Sequence, residues 1–146
     1  REPYGRTAPQ VEEVLQTAKS GIYLAEKMQE YTQNYLRGGG KTEFSSYYTA
    51  MYDAARFDPA LTRNVVFSQH NLVTDRSFSE FNVILCRNVM IYFDRTLQER
   101  VHALFYESLV AFGFLGLGSK ESLKFSKYET CYEQIDEREK LYRRVQ

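Results

Sequence analysis

The sequence predicts an α/β domain whose mostly parallel sheet is closed by a terminal antiparallel hairpin, and three observations carry that prediction. Phe81 to Cys86 is a nearly unbroken apolar run, as a strand buried on both faces requires. An amphipathic helix follows from Asp94, and then a second apolar run, Phe114 to Leu117. Strand, helix of about five turns, strand is the pattern of a right-handed parallel crossover. Finally, the β-like runs Thr130 to Ile135 and Lys140 to Val145 are joined by only Asp136 to Glu139, a link short enough to demand a hairpin.

The elements can be justified in order. Between Pro9 and Lys19, apolar residues recur at Val11, Val14, Leu15 and Ala18, a helical spacing. Pro9 suits a first helical turn and Gly21 the residue just past the end. A second helix is expected over Ala25 to Leu36, with Met28, Tyr31 and Tyr35 on one face, broken by Gly38-Gly39-Gly40. From Phe44 to Asp58 the chain is aromatic-rich and favours extended or irregular structure, and Asp58-Pro59 marks a turn. This segment therefore reads as a small insertion between the helices and the sheet. Its tyrosines either pack a local aromatic core or offer a partner surface.

Asn64 to Gln69 reads as a strand ending in His70-Asn71-Leu72. After Phe81 to Cys86, Asp94 is a plausible N-cap. Its helix carries Leu97, Val101, Leu104, Phe105, Ser108 and Leu109 along one stripe, and Gly113 is expected to end it.

Composition narrows the function classes. The 146 residues are one domain's worth of chain, or a piece of something larger. Twelve tyrosines and ten phenylalanines supply material for a core. Nineteen basic and nineteen acidic side chains cancel, leaving no footprint for general nucleic-acid or membrane-surface binding. No apolar run approaches the roughly 20 residues of a membrane span, and no signal-peptide pattern opens the sequence. Cys86 and Cys131 make neither metal-ligand spacing nor a disulfide framework and read as buried free thiols in a cytoplasmic protein.

The chemistry-bearing residues lie on loops that leave strands. Arg87, Asn88 and Tyr92 follow Phe81 to Cys86, and the carboxyl ends of strands in an open α/β sheet are where ligands sit. Arg87 and Asn88 could meet a carboxylate or ribose, or merely pair with a surface acid and cap a turn. Tyr92 could present its hydroxyl to a substrate or pack beneath the helix. His70 and Asn71 follow the preceding strand in the same manner, and an Asn amide suits a base edge. Gly118 to Ser122 is either a solvated turn or a loop on the rim of the same cleft. No nucleophile–base pair, zinc site or phosphate-cradling glycine loop is present.

With these residues assembled, the chain resembles the chemotaxis-receptor glutamate methyltransferases, the CheR family. The resemblance runs from AKSGIY (18 to 23) through HNL (70 to 72), FNVILCRNVMIYFD (81 to 94) and GFLGLGSKESL (113 to 123) to the final YRR. It implies a Rossmann-like class I methyltransferase fold with a small inserted β-subdomain over about Lys41 to Leu61. It implies methyl transfer from S-adenosylmethionine to a receptor glutamate, leaving S-adenosylhomocysteine and a methyl ester. Asn71 and Leu72 would border the adenine, Arg87 and Asn88 would lie against the cofactor, and Tyr92 would lie near the transferring methyl and the incoming carboxylate. GSKESL is similar to the branch whose domains are often fused to signalling modules.

The family's cofactor glycine loop, its ribose-binding acid and its amino-terminal helical domain have no counterpart in these 146 residues, since Thr7-Ala8-Pro9 leads straight into the first helix. The chain accordingly reads as the carboxyl-terminal part of a catalytic domain, incomplete within this sequence. By itself it is expected to bind cofactor weakly and, through an open sheet edge, to self-associate. The resemblance implies a chemoreceptor or receptor-like signalling protein as partner, with no nucleic acid and no membrane insertion. The alternative is a non-catalytic module that binds a signalling partner or peptide through the inserted β-subdomain. Methyl transfer to another acceptor also fits the fold.

Overall fold

A computed structural model describes residues 8–72 and 80–146. The chain divides into two compact units, Arg1–Gln69 and His70–Gln146. No helix among the described residues is long and apolar enough to cross a membrane.

In the first unit, α1 (Ala8–Ser20) stops at Gly21, whose φ of +64° lies in the left-handed region that glycine enters without steric cost. β1 (Ile22–Leu24), α2 (Lys27–Arg37), β2 (Tyr48–Met51) and β3 (Ala54–Phe57) follow. The sheet order is β1-β3-β2, antiparallel throughout, so the hairpin of the aromatic segment also recruits a strand that precedes α2.

Aromatic packing holds this unit together. The Phe44 ring centroid lies 5.3 Å from that of Tyr35, 5.7 Å from Tyr48 and 5.8 Å from Phe57. The Tyr35 and Tyr47 hydroxyls meet Thr42 Oγ1 at 2.7 and 2.6 Å, which satisfies the polar ends of rings that pack with their apolar bodies. Tyr47 and Tyr48 thus join a local aromatic core, whereas Tyr52, at the hairpin tip with φ +38°, is fully exposed.

The expected strand over Asn64 to Gln69 does not form. The segment is irregular, and Val65 and Val66 are exposed. Valine-rich sequence favours a strand only when a ladder and a covering face are available to it, and no described strand pairs with this segment.

The second unit contains β4 (Phe81–Cys86), α3 (Arg95–Ser108), β5 (Leu109–Leu117), β6 (Tyr132–Asp136) and β7 (Leu141–Arg144). Its sheet order is β4-β5-β7-β6. β4 and β5 run parallel, with Cys86 opposite Leu117, and the crossover between them is α3, as expected. β6 and β7 form the expected hairpin. Because β7 pairs antiparallel with β5, the described sheet has one parallel and two antiparallel pairings and is not mostly parallel.

Two further expectations are corrected here. β4 is not buried on both faces: Cys86 is buried and Ile84 half-buried, but Val83 and Leu85, which alternate with them, are exposed, Leu85 by 71%. The two-residue period gives the strand one covered face and one open face among the described residues. α3 also ends at Ser108, short of Gly113, because Arg144 of β7 donates to the Tyr106 and Leu109 carbonyls at the helix end and the chain enters β5 at once. The core lies between α3 and β5, with Val101, Leu104 and Phe105 buried on the helix and Leu109, Leu115 and Leu117 on the strand. Cys131 is half-buried in a 3₁₀ turn before β6, not in a strand, and both cysteines are free.

Candidate active site

The loop that leaves β4 is built in three steps. Asn88 turns the chain with φ +60°, a left-handed conformation that Asn tolerates better than most residues. A 3₁₀ turn, Met90–Tyr92, follows, and its Met90 anchors in the core while Tyr92 stands 74% exposed. Buried Phe93 leads to Asp94, whose side chain accepts from the Leu97 N–H at 2.9 Å and caps α3. Gln98 of that helix donates to the Met90 and Phe93 carbonyls at 3.1 and 3.2 Å, fastening the turn to the helix it precedes.

The loop after β5 holds the same segment from the other side. Glu121 accepts from the backbone N–H groups of Asn88, Val89 and Met90, and from Gly118 on its own loop. Gly118 to Ser122 is therefore fastened to the Arg87–Tyr92 loop rather than being a free solvated turn.

Beside these loops lies a cleft of about 450 Å³. Leu72, Ile84, Leu85, Val89 and Phe105 give it apolar walls, and His70, Arg87 and Ser108 bring polar groups to it. A mostly apolar cleft with a few convergent polar groups is the usual form of a small-molecule site. Of the residues singled out from sequence, Leu72 and Arg87 line this cleft, joined by His70. Asn71 adjoins Leu72 and is half-buried. Asn88, between the lining residues Arg87 and Val89, is not itself in the lining and lies against Glu121 and Gly118. Tyr92 is not part of the lining and projects from the same loop.

Cys86 also lines the cleft, and burial, with the negative charge of Glu121, pushes its thiol up to about 12. It remains protonated and packs as a small apolar group, so it is no nucleophile. His102, on the buried side of α3, is held below its ordinary value by burial, against the opposing charges of Glu99 and Glu121. Its Nδ1 is buried without a hydrogen-bond partner.

Sequence reasoning missed Glu121 altogether. Its partners Asn88 to Met90 lie 31 to 33 residues away, and no local pattern announces such a contact. The available signal was an acid three residues after Gly118 in a loop already suspected of sharing the rim.

Residues 10–140 match the family model described as CheR methyltransferase, SAM binding domain. The chain is similar to a Pseudomonas putida protein named Cher3 and provisionally described as a methyltransferase. The two are 47% identical over 130 residues, covering 89% of this chain and 48% of that protein. It is also similar to the chemotaxis protein methyltransferases of Salmonella typhimurium (34% over 118 residues) and Escherichia coli (33% over 117 residues). Each of those matches covers 75% of this chain and 38% of the relative. The chain thus spans about half or less of the length of these curated relatives. With nearly its whole length matched, the chain belongs to the CheR methyltransferase family, in the domain whose cofactor is S-adenosylmethionine.

Proposed function

We propose that the protein to which this chain belongs transfers a methyl group from S-adenosylmethionine to a glutamate side chain of a chemoreceptor-like protein, on a Rossmann-like class I framework. The observation that carries this reading is the loop leaving β4. It bears Arg87, Asn88 and an exposed Tyr92 in succession, and Arg87 shares a cleft with His70 and Leu72.

The residues present fit this cofactor. The apolar walls from Leu72, Ile84, Leu85 and Val89 suit a purine face, and the amide of Asn71 has the donor and acceptor a base edge needs. Arg87 offers a planar fork for a carboxylate or ribose oxygens, and Asn88 a second amide on the same loop. When bound, S-adenosylmethionine supplies an electrophilic methyl on a positively charged sulfur. A glutamate carboxylate is already ionised at neutral pH and needs no general base. The work left to the protein is orientation, and in this reading the exposed Tyr92 would hold the incoming carboxylate through its hydroxyl.

The test is tritium transfer from labelled S-adenosylmethionine to a receptor fragment, using the full-length protein that contains this chain. Base-labile label is expected with wild type and its loss with Arg87→Ala and Tyr92→Phe. Activity unchanged by both substitutions would remove the assigned roles, and an inactive wild type would remove the reading.

A second reading, a module that binds a signalling peptide through the small β-sheet, draws on one observation. β1 and β2 are the two edges of that sheet, and Met51 and Tyr52 project at its hairpin tip. Tyr47 and Tyr48 are packed among other rings, so Tyr52→Ala is the informative variant. Peptide binding that survives it would remove this reading.

A further inference from the structure

The link between the two loops has a buried carboxylate at its centre. Glu121 is 5% exposed and uses both of its oxygens. Oε1 accepts from the N–H of Val89 at 2.9 Å and of Met90 at 2.7 Å. Oε2 accepts from the N–H of Asn88 at 3.0 Å and of Gly118 at 2.7 Å. Successive backbone N–H groups that converge after a left-handed residue make an anion-binding concavity. Here the chain fills its own concavity. A lone buried carboxylate is strongly disfavoured, and four charge-assisted bonds are what keep this one in place.

Gly118 is part of the device. A Cβ there would stand 2.7 Å from both Asn88 Oδ1 and Glu121 Oε2, and 2.8 Å from the Asn88 nitrogen. Two loops from different strands are therefore closed on one carboxylate, at a distance only glycine permits.

We propose that Glu121 is the positioning residue for the Arg87–Tyr92 loop. It sets the direction in which Arg87, Asn88 and Tyr92 leave the sheet, and it acts on cofactor and acceptor only through them. The proposal rests on the reading of that loop as the methyl-transfer site. Glutamine cannot replace Glu121, because its NH₂ would face N–H donors across one half of the concavity. Aspartate keeps the charge but is one methylene short of spanning both loops.

The experiment uses the full-length protein and measures S-adenosylhomocysteine affinity, KM for S-adenosylmethionine, kcat and the fraction folded. Glu121→Gln is expected to weaken affinity and raise KM by about tenfold or more, the equivalent of one lost charge-assisted bond. Gly118→Ala should do the same by forcing the loops apart, and Glu121→Asp should regain part of the loss. A purely structural role would lower apparent kcat in proportion to folded protein and leave KM unchanged, which would overturn the proposal. If Glu121→Gln does not fold, Gly118→Ala decides by the same criteria. Arg87→Ala separates the two claims. If it leaves affinity unchanged, the loop is not the cofactor site and the proposal falls with that reading. If it weakens affinity while Glu121→Gln does not, the site stands and the role of Glu121 falls.

Discussion

Arg144, in the last strand, closes the end of α3 through Tyr106. Its guanidinium carbon lies 4.0 Å from the Tyr106 ring centroid, and its Nη1 donates to the Tyr106 carbonyl at 2.8 Å. The same nitrogen also donates to the Leu109 carbonyl, where helix becomes strand. A cation at a helix carboxyl end meets carbonyls that lack helical partners, and stacking on a ring adds to that attraction. Arg144→Ala should destabilise the protein by about 2 kcal/mol. Arg144→Lys should recover only part, because an ammonium has no planar fork. Urea unfolding measures both, and a loss under about 0.5 kcal/mol for the alanine variant, the ordinary range of a surface change, would remove the clamp.

Asn88 serves the loop in two separable ways. Its backbone takes the left-handed turn and donates to Glu121, while its side chain is exposed and is the part proposed to meet the cofactor. Asn88→Gly should keep stability or raise it by up to about 1 kcal/mol, since glycine enters this conformation freely. Asn88→Ala should lose about 1 kcal/mol at the same position. Both should weaken S-adenosylhomocysteine binding if the amide meets the cofactor. Thermal unfolding together with calorimetric binding separates the two effects, and undiminished binding by the glycine variant would confine Asn88 to its backbone role.

The parts of this structure legible from sequence are those decided locally. Asp94 caps α3, the short charged link, which the structure places at Glu137 to Lys140, makes a hairpin, and the Arg87–Tyr92 loop leaves a strand end, each by short-range rules. The failures are non-local. Asn64 to Gln69 has strand composition and no ladder. α3 was expected to run on to Gly113, but a guanidinium 35 residues beyond Leu109 helps set its end at Ser108. At the candidate site, Arg87 and Leu72 were nameable from motif and meet at one cleft. The role of Glu121 was not legible because three of its four bonds are to another strand's loop.

His102 makes stability depend on pH. Burial holds its imidazole below the ordinary 6.5, so in the window beneath 6.5 the unfolded chain binds a proton that the folded chain does not. Stability from this residue is complete above that value and falls as pH drops through the window towards the folded value. Glu99 and Glu121 oppose the shift without reversing it. His102→Gln, which does not titrate, should flatten this part of the stability–pH curve whatever its absolute stability. An unchanged slope between wild type and variant would mean that other groups produce it.

The two thiols should react at different rates. Cys86 is buried and its thiol is pushed up to about 12, so almost none is thiolate at pH 8. Cys131 is half-buried in a turn and more open to reagent. Alkylation of the folded protein should modify Cys131 first, with Cys86 protected until denaturant is added. Peptide mapping after timed alkylation reads this directly, and early labelling of Cys86 would show that the cleft it lines opens to solvent.

Tyr92 offers the sharpest separation of folding from function. Its ring is largely exposed at the end of a 3₁₀ turn that Met90 and Gln98 already hold, so its hydroxyl contributes little to stability. Tyr92→Phe should unfold within about 0.5 kcal/mol of wild type. If the hydroxyl orients the acceptor carboxylate, the same change should lower kcat for methyl transfer by about 100-fold, the scale expected when a reacting group is misplaced by an ångström. S-Adenosylhomocysteine affinity should stay near wild type, because Tyr92 does not line the cleft that Arg87 and Leu72 share. A parallel loss of affinity would place Tyr92 with the cofactor rather than with the acceptor, and unchanged kcat would leave it without a part in the reaction.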